Sequence, residues 1–192
     1  VTTGLPYSFA RKTEVVDVES GNICLELADF PFEIGGAVGA NLDETPIVCG
    51  GRHASTSTHY QTCYKYTNAG WQEFGSMNEK RGYAAGIIYK NKFHVFGGYQ
   101  GGSSNSKTTE LISIDGGVEY GPELPEAVSD HAITSITSTV SLLSGGVTDA
   151  HWYSPLTWYF NHETKVFSSG PSMLQGRSSH GSATIVDKVT KA

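Results

Sequence analysis

The sequence predicts an all-β protein made of repeated four-stranded antiparallel units, and three observations predict it. Composition is the first: 23 glycines and 11% aromatic residues against only 17% charged residues describe a foldable chain rich in tight turns. Self-similarity is the second. The stretches "PIVCGG", "HVFGG" and "SLLSGG" close on glycine pairs, and their first glycines, Gly50, Gly97 and Gly145, lie 47 and 48 residues apart. The third is an apolar hairpin pattern before each pair and a second hairpin pattern after it. A strand-built repeat of about 40–50 residues points to propeller blades.

Each element follows from local chemistry. Before the glycines run "GGAVGANLDETPIVCGG", "GYAAGIIYKNKFHVFGG" and "DHAITSITSTVSLLSGG", whose small and β-branched residues suit strands buried on both faces. These hairpins are expected to turn at Asp43-Glu44, Lys90-Asn91 and Thr137-Ser138. After the glycines come "CYKYTNAGWQEFGSM", "TELISIDGGVEYGPELP" and "TWYFNHETKVFSSGPSM". Their expected turns are Asn68-Ala69-Gly70, Asp115-Gly116-Gly117 and His162-Glu163-Thr164, the Asp-Gly-Gly turn being the strongest signal because primed hairpin turns need positive φ. Glycine pairs suit a chain that leaves a sheet sharply beside a neighbour, where a Cβ would clash.

The expected blades span 32–77, 78–125 and 126–173. Residues 1–31 read as the second, third and fourth strands of a preceding blade, with "VTTG" ending the second and "TEVVDVESGNICLELADFP" forming the hairpin. Residues 174–192 read as the first strand of a following or closing blade. The expectation is therefore a partial ring, since an open array leaves strand edges that native proteins hide. Closure as four blades is the alternative.

Several function classes are disfavoured. A net charge of −6 gives no basic face for nucleic acid. No apolar run is long enough to cross a bilayer, and the N-terminal residues do not form a signal peptide. The loop in "FHVFGGYQGG" is not followed by a helix, and Lys107-Thr108 lacks the glycine a phosphate loop needs, so the glycines end a strand rather than cradle a phosphate. His53, His59, His94, His131, His151, His162 and His180 show no metal spacing. His94 reads as a core or inter-blade residue. The "SSG" at 168–170 is a hairpin end, not a nucleophile elbow. Asp17, Glu19, Asp29, Glu33, Asp43 and Glu44 mark turns and edges rather than acid–base pairs. No cofactor is expected.

With Gly50-Gly51, Tyr66 and Trp71 in place, the chain resembles the kelch repeats, whose pattern is an apolar run, a glycine pair, a tyrosine on the third strand and a tryptophan on the fourth. The later repeats depart from it: Val118 and Phe167 stand at the tryptophan position, Ile114 and Phe160 at the tyrosine position. The resemblance implies an all-β propeller of four-stranded antiparallel kelch blades, usually six or seven to a ring, and a binding role without a particular ligand. Some kelch relatives are enzymes, among them galactose-oxidase-like copper oxidases and a sialic-acid mutarotase, but no catalytic motif of either is readable here. A catalytic propeller with its active residues on other blades, and an intracellular adaptor or actin-binding domain, are the alternative readings.

Cys49 closes one strand and Cys63 opens the next, so spacing allows either a disulfide or a small buried thiol. Resemblance to secreted invertebrate kelch proteins implies the disulfide and an extracellular setting, with Cys24 free or differently paired. The loops "RHASTSTHYQT", "YQGGSSNSKT" and "VTDAHWYSPL", together with the links between blades, are expected on one face, where binding concentrates. Arg52, His53, Tyr60, Tyr99, His151, Trp152 and Tyr153 supply interface-anchor chemistry there, with Gln100 and Asp149 beside them. Arg81 and Arg177 either line a channel mouth or bond between blades. The expected partner is a protein, with further blades or a second copy as other possibilities.

Overall fold

The structure, a computed structural model, describes residues 11–16, 23–24, 27–53, 55–102 and 104–185. It is all-β. In chain order the strands are β1 (Val15–Val16), β2 (Ile23–Cys24), β3 (Ile34–Gly35), β4 (Val38–Leu42), β5 (Thr45–Cys49), β6 (Arg52–His53), β7 (Thr62–Thr67), β8 (Gly70–Ser76), β9 (Ala85–Tyr89) and β10 (Lys92–Phe96). They continue with β11 (Tyr99–Gly101), β12 (Ser104–Asn105), β13 (Thr109–Ile112), β14 (Val118–Tyr120), β15 (Val128–Ser129), β16 (Ala132–Ser135), β17 (Val140–Ser144), β18 (Val147–Thr148), β19 (Thr157–Asn161) and β20 (Val166–Ser169).

Three antiparallel four-stranded sheets carry the architecture, ordered β4-β5-β7-β8, β9-β10-β13-β14 and β16-β17-β19-β20. Each is a meander of two consecutive hairpins, as the repeats predict. The sheets pack through their first strands, β4 on β9 and β9 on β16. Between the first and second sheets lies a core of Leu42, Ile47, Met77, Phe93, Val95 and Ile112. Between the second and third lie Phe96, Leu124, Leu143 and Phe160. Burying each such side chain contributes about 1.5–3 kcal/mol, which fixes the sheets as a stack. The outer face of the first sheet is covered by Phe30 and Ile34, which meet Tyr64 and Trp71. Trp71 Nε1 donates to Thr13 Oγ1 at 2.8 Å, so the residue at the tryptophan position ties the sheet to the segment before it.

The glycine pairs have one cause in all three repeats. The first glycine of each pair sits at φ 66°, 57° and 64° and the second at φ 96°, 103° and 101°. A Cβ on Gly50, Gly97 or Gly145 would run into the carbonyl oxygen of Arg81, Val128 or Arg177 respectively. That same carbonyl accepts the N–H of the second glycine, each time at 2.8 Å. The pair therefore both turns the chain and donates a hydrogen bond to the entry segment of the next unit.

The turns agree in place and differ in chemistry. Asp43-Glu44 and Lys90-Asn91 adopt positive φ at both residues, the primed geometry that matches strand twist. In the Asp-Gly-Gly turn only Gly116 does so, at φ 90°. Asp115 instead accepts Ser113 Oγ at 2.5 Å and Gly117 N at 3.1 Å, so this is a longer turn closed by a glycine bulge and not a primed pair. In the third unit the left-handed residue is Lys165, beyond the expected His162-Glu163-Thr164. The register also corrects one assignment: Tyr66 faces Trp71 and Phe160 faces Phe167, but Val118 faces Ile112, so Ile112 and not Ile114 holds the tyrosine position.

Cys49 and Cys63 lie directly opposite each other on β5 and β7, with Cα atoms 4.1 Å apart, and are disulfide-bonded. In the N-terminal unit, Val15 pairs with Cys24 and Val16 with Ile23, as the expected hairpin requires. Residues 174–185 carry no strand, contrary to expectation. The backbone bonds of this segment run instead to the neighbouring loops: Arg177 N donates to Ser154 O, Ser179 N donates to Asp130 O, and Arg177 O accepts Gly146 N. The expected strand at residues 1–4, Asp17, Glu19, the Cys24 thiol and residues 186–192 lie outside the described residues.

Candidate functional site

The loops after the glycine pairs and the links entering each sheet meet at one end of the stack, tied by short pairings. Arg52 pairs with Gly35, Tyr99 bridges Gly82, and Val147 pairs with Ser129. A second set of bonds crosses from sheet to sheet. The N–H of Tyr83 donates to Gly36 O, that of Asp130 to Tyr83 O, and that of Ser179 to Asp130 O, at 2.6, 2.8 and 2.8 Å. All four residues are left-handed, at φ 63°, 57°, 53° and 52°. Gly36, Tyr83, Asp130 and Ser179 thus form a repeated rung that runs from unit to unit along this end of the stack.

Two clefts open beside the rung. The larger, of about 510 Å³, is walled by Tyr83, Tyr99 and Trp152 and carries the acceptors Asn105, Asp130 and Asp149, with His151 at its margin. The smaller, of about 280 Å³, is lined by Arg52, His59, Tyr83, Tyr99 and the glycines at 101 and 102. Tyr83 and Tyr99 form the wall common to both. His59 lies edge-on to Tyr99 at 5.3 Å, and burial, aided by Arg52 and Lys80, holds its pKa below the usual imidazole value.

Four expected residues, Tyr99, Asp149, His151 and Trp152, come together in the larger cleft, and Arg52 joins Tyr99 in the smaller. Tyr153 stands beside Trp152 on the outside. These two residues are 68% and 81% exposed, so both rings stand in water and outside the core. The other expected residues sit elsewhere. Tyr60 packs on Phe32 with centroids 4.7 Å apart, and His53 stacks against the same ring, so both serve an aromatic cluster. Gln100 turns inward and donates to Glu79 Oε2 at 2.5 Å. Arg177 is exposed, and its contribution to the fold is its carbonyl, which accepts Gly146 N.

Arg81 is buried and belongs to the framework, not to a channel mouth. Its guanidinium pairs with Glu110 Oε1 at 2.6 Å and Glu79 Oε2 at 3.2 Å and donates to Gly97 O at 2.6 Å. Glu110 in turn accepts Asn78 N at 2.6 Å. A buried charge is tolerated when it is paired and hydrogen-bonded in this way, here through both terminal nitrogens, while the buried Nε has no partner among the described residues. His94 is likewise buried, between Phe96 and Phe160 of the next sheet, and burial pushes its pKa down to about 3. His131 packs under Gly97, and its pKa is pushed down to about 4 by burial.

Tyr83, Asn105 and Asp130 were not singled out from the sequence. Their signal is the phase: Gly36, Tyr83 and Asp130 repeat at 47-residue spacing, like the glycine pairs. Unlike residue types at one backbone position hide such a repeat. Among the described residues no group of histidine, cysteine or carboxylate side chains is arranged to hold a metal ion.

No family model matches the chain, and no curated protein matches it. Its fold is similar to a solved structure described as "Structure of YjhT", with a TM-score of 0.72 and 14% identity over 90% of this chain and 69% of that one. At that identity the likeness concerns the fold alone.

Proposed function

We propose that the chain is a kelch-type β-propeller segment that works as a non-catalytic protein-interaction module, through the loops that follow its glycine pairs and the links between its blades. The observation that carries the reading is the exposure of Trp152 and Tyr153, 81% and 68%, beside the larger cleft. Large aromatics held in water on a rigid scaffold are the usual anchors of a binding surface. Support for the kelch assignment comes from the phased glycine pairs, from Tyr66 facing Trp71, and from the fold likeness over most of the chain. The Cys49–Cys63 disulfide supports an extracellular setting, because such bonds persist where thiols are not kept reduced.

The test compares three baits in the same extracellular extract: the parent, Trp152→Ala/Tyr153→Ala, and a control altered at the opposite-end turns, Glu44→Ala/Lys90→Ala. The reading expects proteins held by the parent and the control and lost from the aromatic variant. Equal recovery by all three baits contradicts it.

A further inference from the structure

We infer that the larger cleft takes an arginine side chain presented by the partner protein. This rests on the interaction-module reading above and adds the chemistry of recognition. The polar groups lining the cleft include the carboxylates of Asp130 and Asp149 and the Asn105 side chain, while no lysine or arginine lines it. Asn105 donates through Nδ2 to Val147 O at 3.3 Å, and its Oδ1 is buried with no hydrogen-bond partner. A buried acceptor left open costs stability unless something donates to it.

Among the described residues the Asp130 carboxylate receives only hydroxyls, from Ser129 at 3.2 Å and Ser179 at 3.0 Å. Neither it nor Asp149 is in an ion pair with a described lysine or arginine. The cleft is therefore negative as well as donor-seeking. Its walls are aromatic: Tyr83, Tyr99 and the exposed indole of Trp152.

A flat cation with several donors satisfies all three features at once. A guanidinium stacks on aromatic faces, offers a fork to carboxylates and is only weakly hydrated, so it enters such a site more readily than an ammonium. The net charge of −6 favours approach of a basic segment over long range. At about 510 Å³ the cleft has room for one such side chain together with part of the backbone that presents it.

The test selects binders from a random dodecapeptide pool displayed on phage, using the immobilised protein, and synthesises the recovered peptides. Arginine is expected in them, and its replacement by citrulline, which keeps the shape and removes the charge, should weaken binding at least tenfold. Asp130→Asn/Asp149→Asn should weaken it to a similar degree at an unchanged urea midpoint, since Asn also tolerates the left-handed conformation. If the double variant loses stability, Asp149→Asn alone, at an exposed position, gives the reading. Peptides that lack arginine but lose binding in Trp152→Ala/Tyr153→Ala overturn the arginine inference and leave the interaction face standing. Peptides indifferent to both sets of changes overturn both. Equal binding of lysine and arginine versions contradicts the guanidinium geometry.

Discussion

Arg81 shows how much one side chain can hold when it has no contact with solvent. It joins the link before β9 to β13 through Glu110 and to the turn of the second glycine pair through Gly97 O. Replacing it with methionine keeps the volume and strands the Glu110 carboxylate, which should cost about 3–5 kcal/mol. Urea unfolding reads this directly, and a loss below 1 kcal/mol contradicts the framework role. His94 and His131 work in the opposite direction, because the fold keeps them neutral. Their pKa values of about 3 and about 4 lie below the unfolded value of 6.5, so the unfolded chain binds more protons as pH falls. Stability is then full above about pH 6.5 and declines below it, by roughly 1.4 kcal/mol per pH unit for each histidine until its folded pKa is reached. Unfolding midpoints measured from pH 7 to 4.5 should show the decline, and His94→Gln should lessen its slope. A flat profile contradicts the assignment.

At the scale of the element, the disulfide and the hairpins explain what the sequence could and could not reveal. Cys49 and Cys63 face each other across β5 and β7, closing a loop with a sequence separation of 14. Cys49→Ser/Cys63→Ser should lower stability by about 3 kcal/mol without altering the sheets, as urea unfolding and far-UV circular dichroism can show together. An unchanged midpoint contradicts the bond. The hairpins were legible because glycine pairs, β-branched runs and turn residues recur in fixed phase. The register was less so: in the sequence a period of two fits Ile112 and Ile114 equally, and only the structure shows that the strand ends at Ile112 and that Ile114 lies in the turn. Arg81 was legible as a position and not as a role, because its partner Glu110 is 29 residues away and meets it only in the folded sheet. The rung was missed for the same reason, since hydrogen bonds between Gly36, Tyr83, Asp130 and Ser179 join residues of unlike chemistry.

Across the whole molecule, the division of labour runs along the sheets. Their packed faces hold the cores, and the glycine pairs lead the chain out at one end, where loops, links and the rung assemble the clefts. Trp152 and Tyr153 belong to that end and to neither core. Hydrogen–deuterium exchange of the protein, alone and with a partner recovered by the parent bait, tests this most directly. The account predicts slowed exchange in 99–105, 129–130 and 147–153 and no change at the opposite-end turns 43–44 and 90–91. Protection confined to those turns, with the glycine-pair loops unaffected, would contradict it.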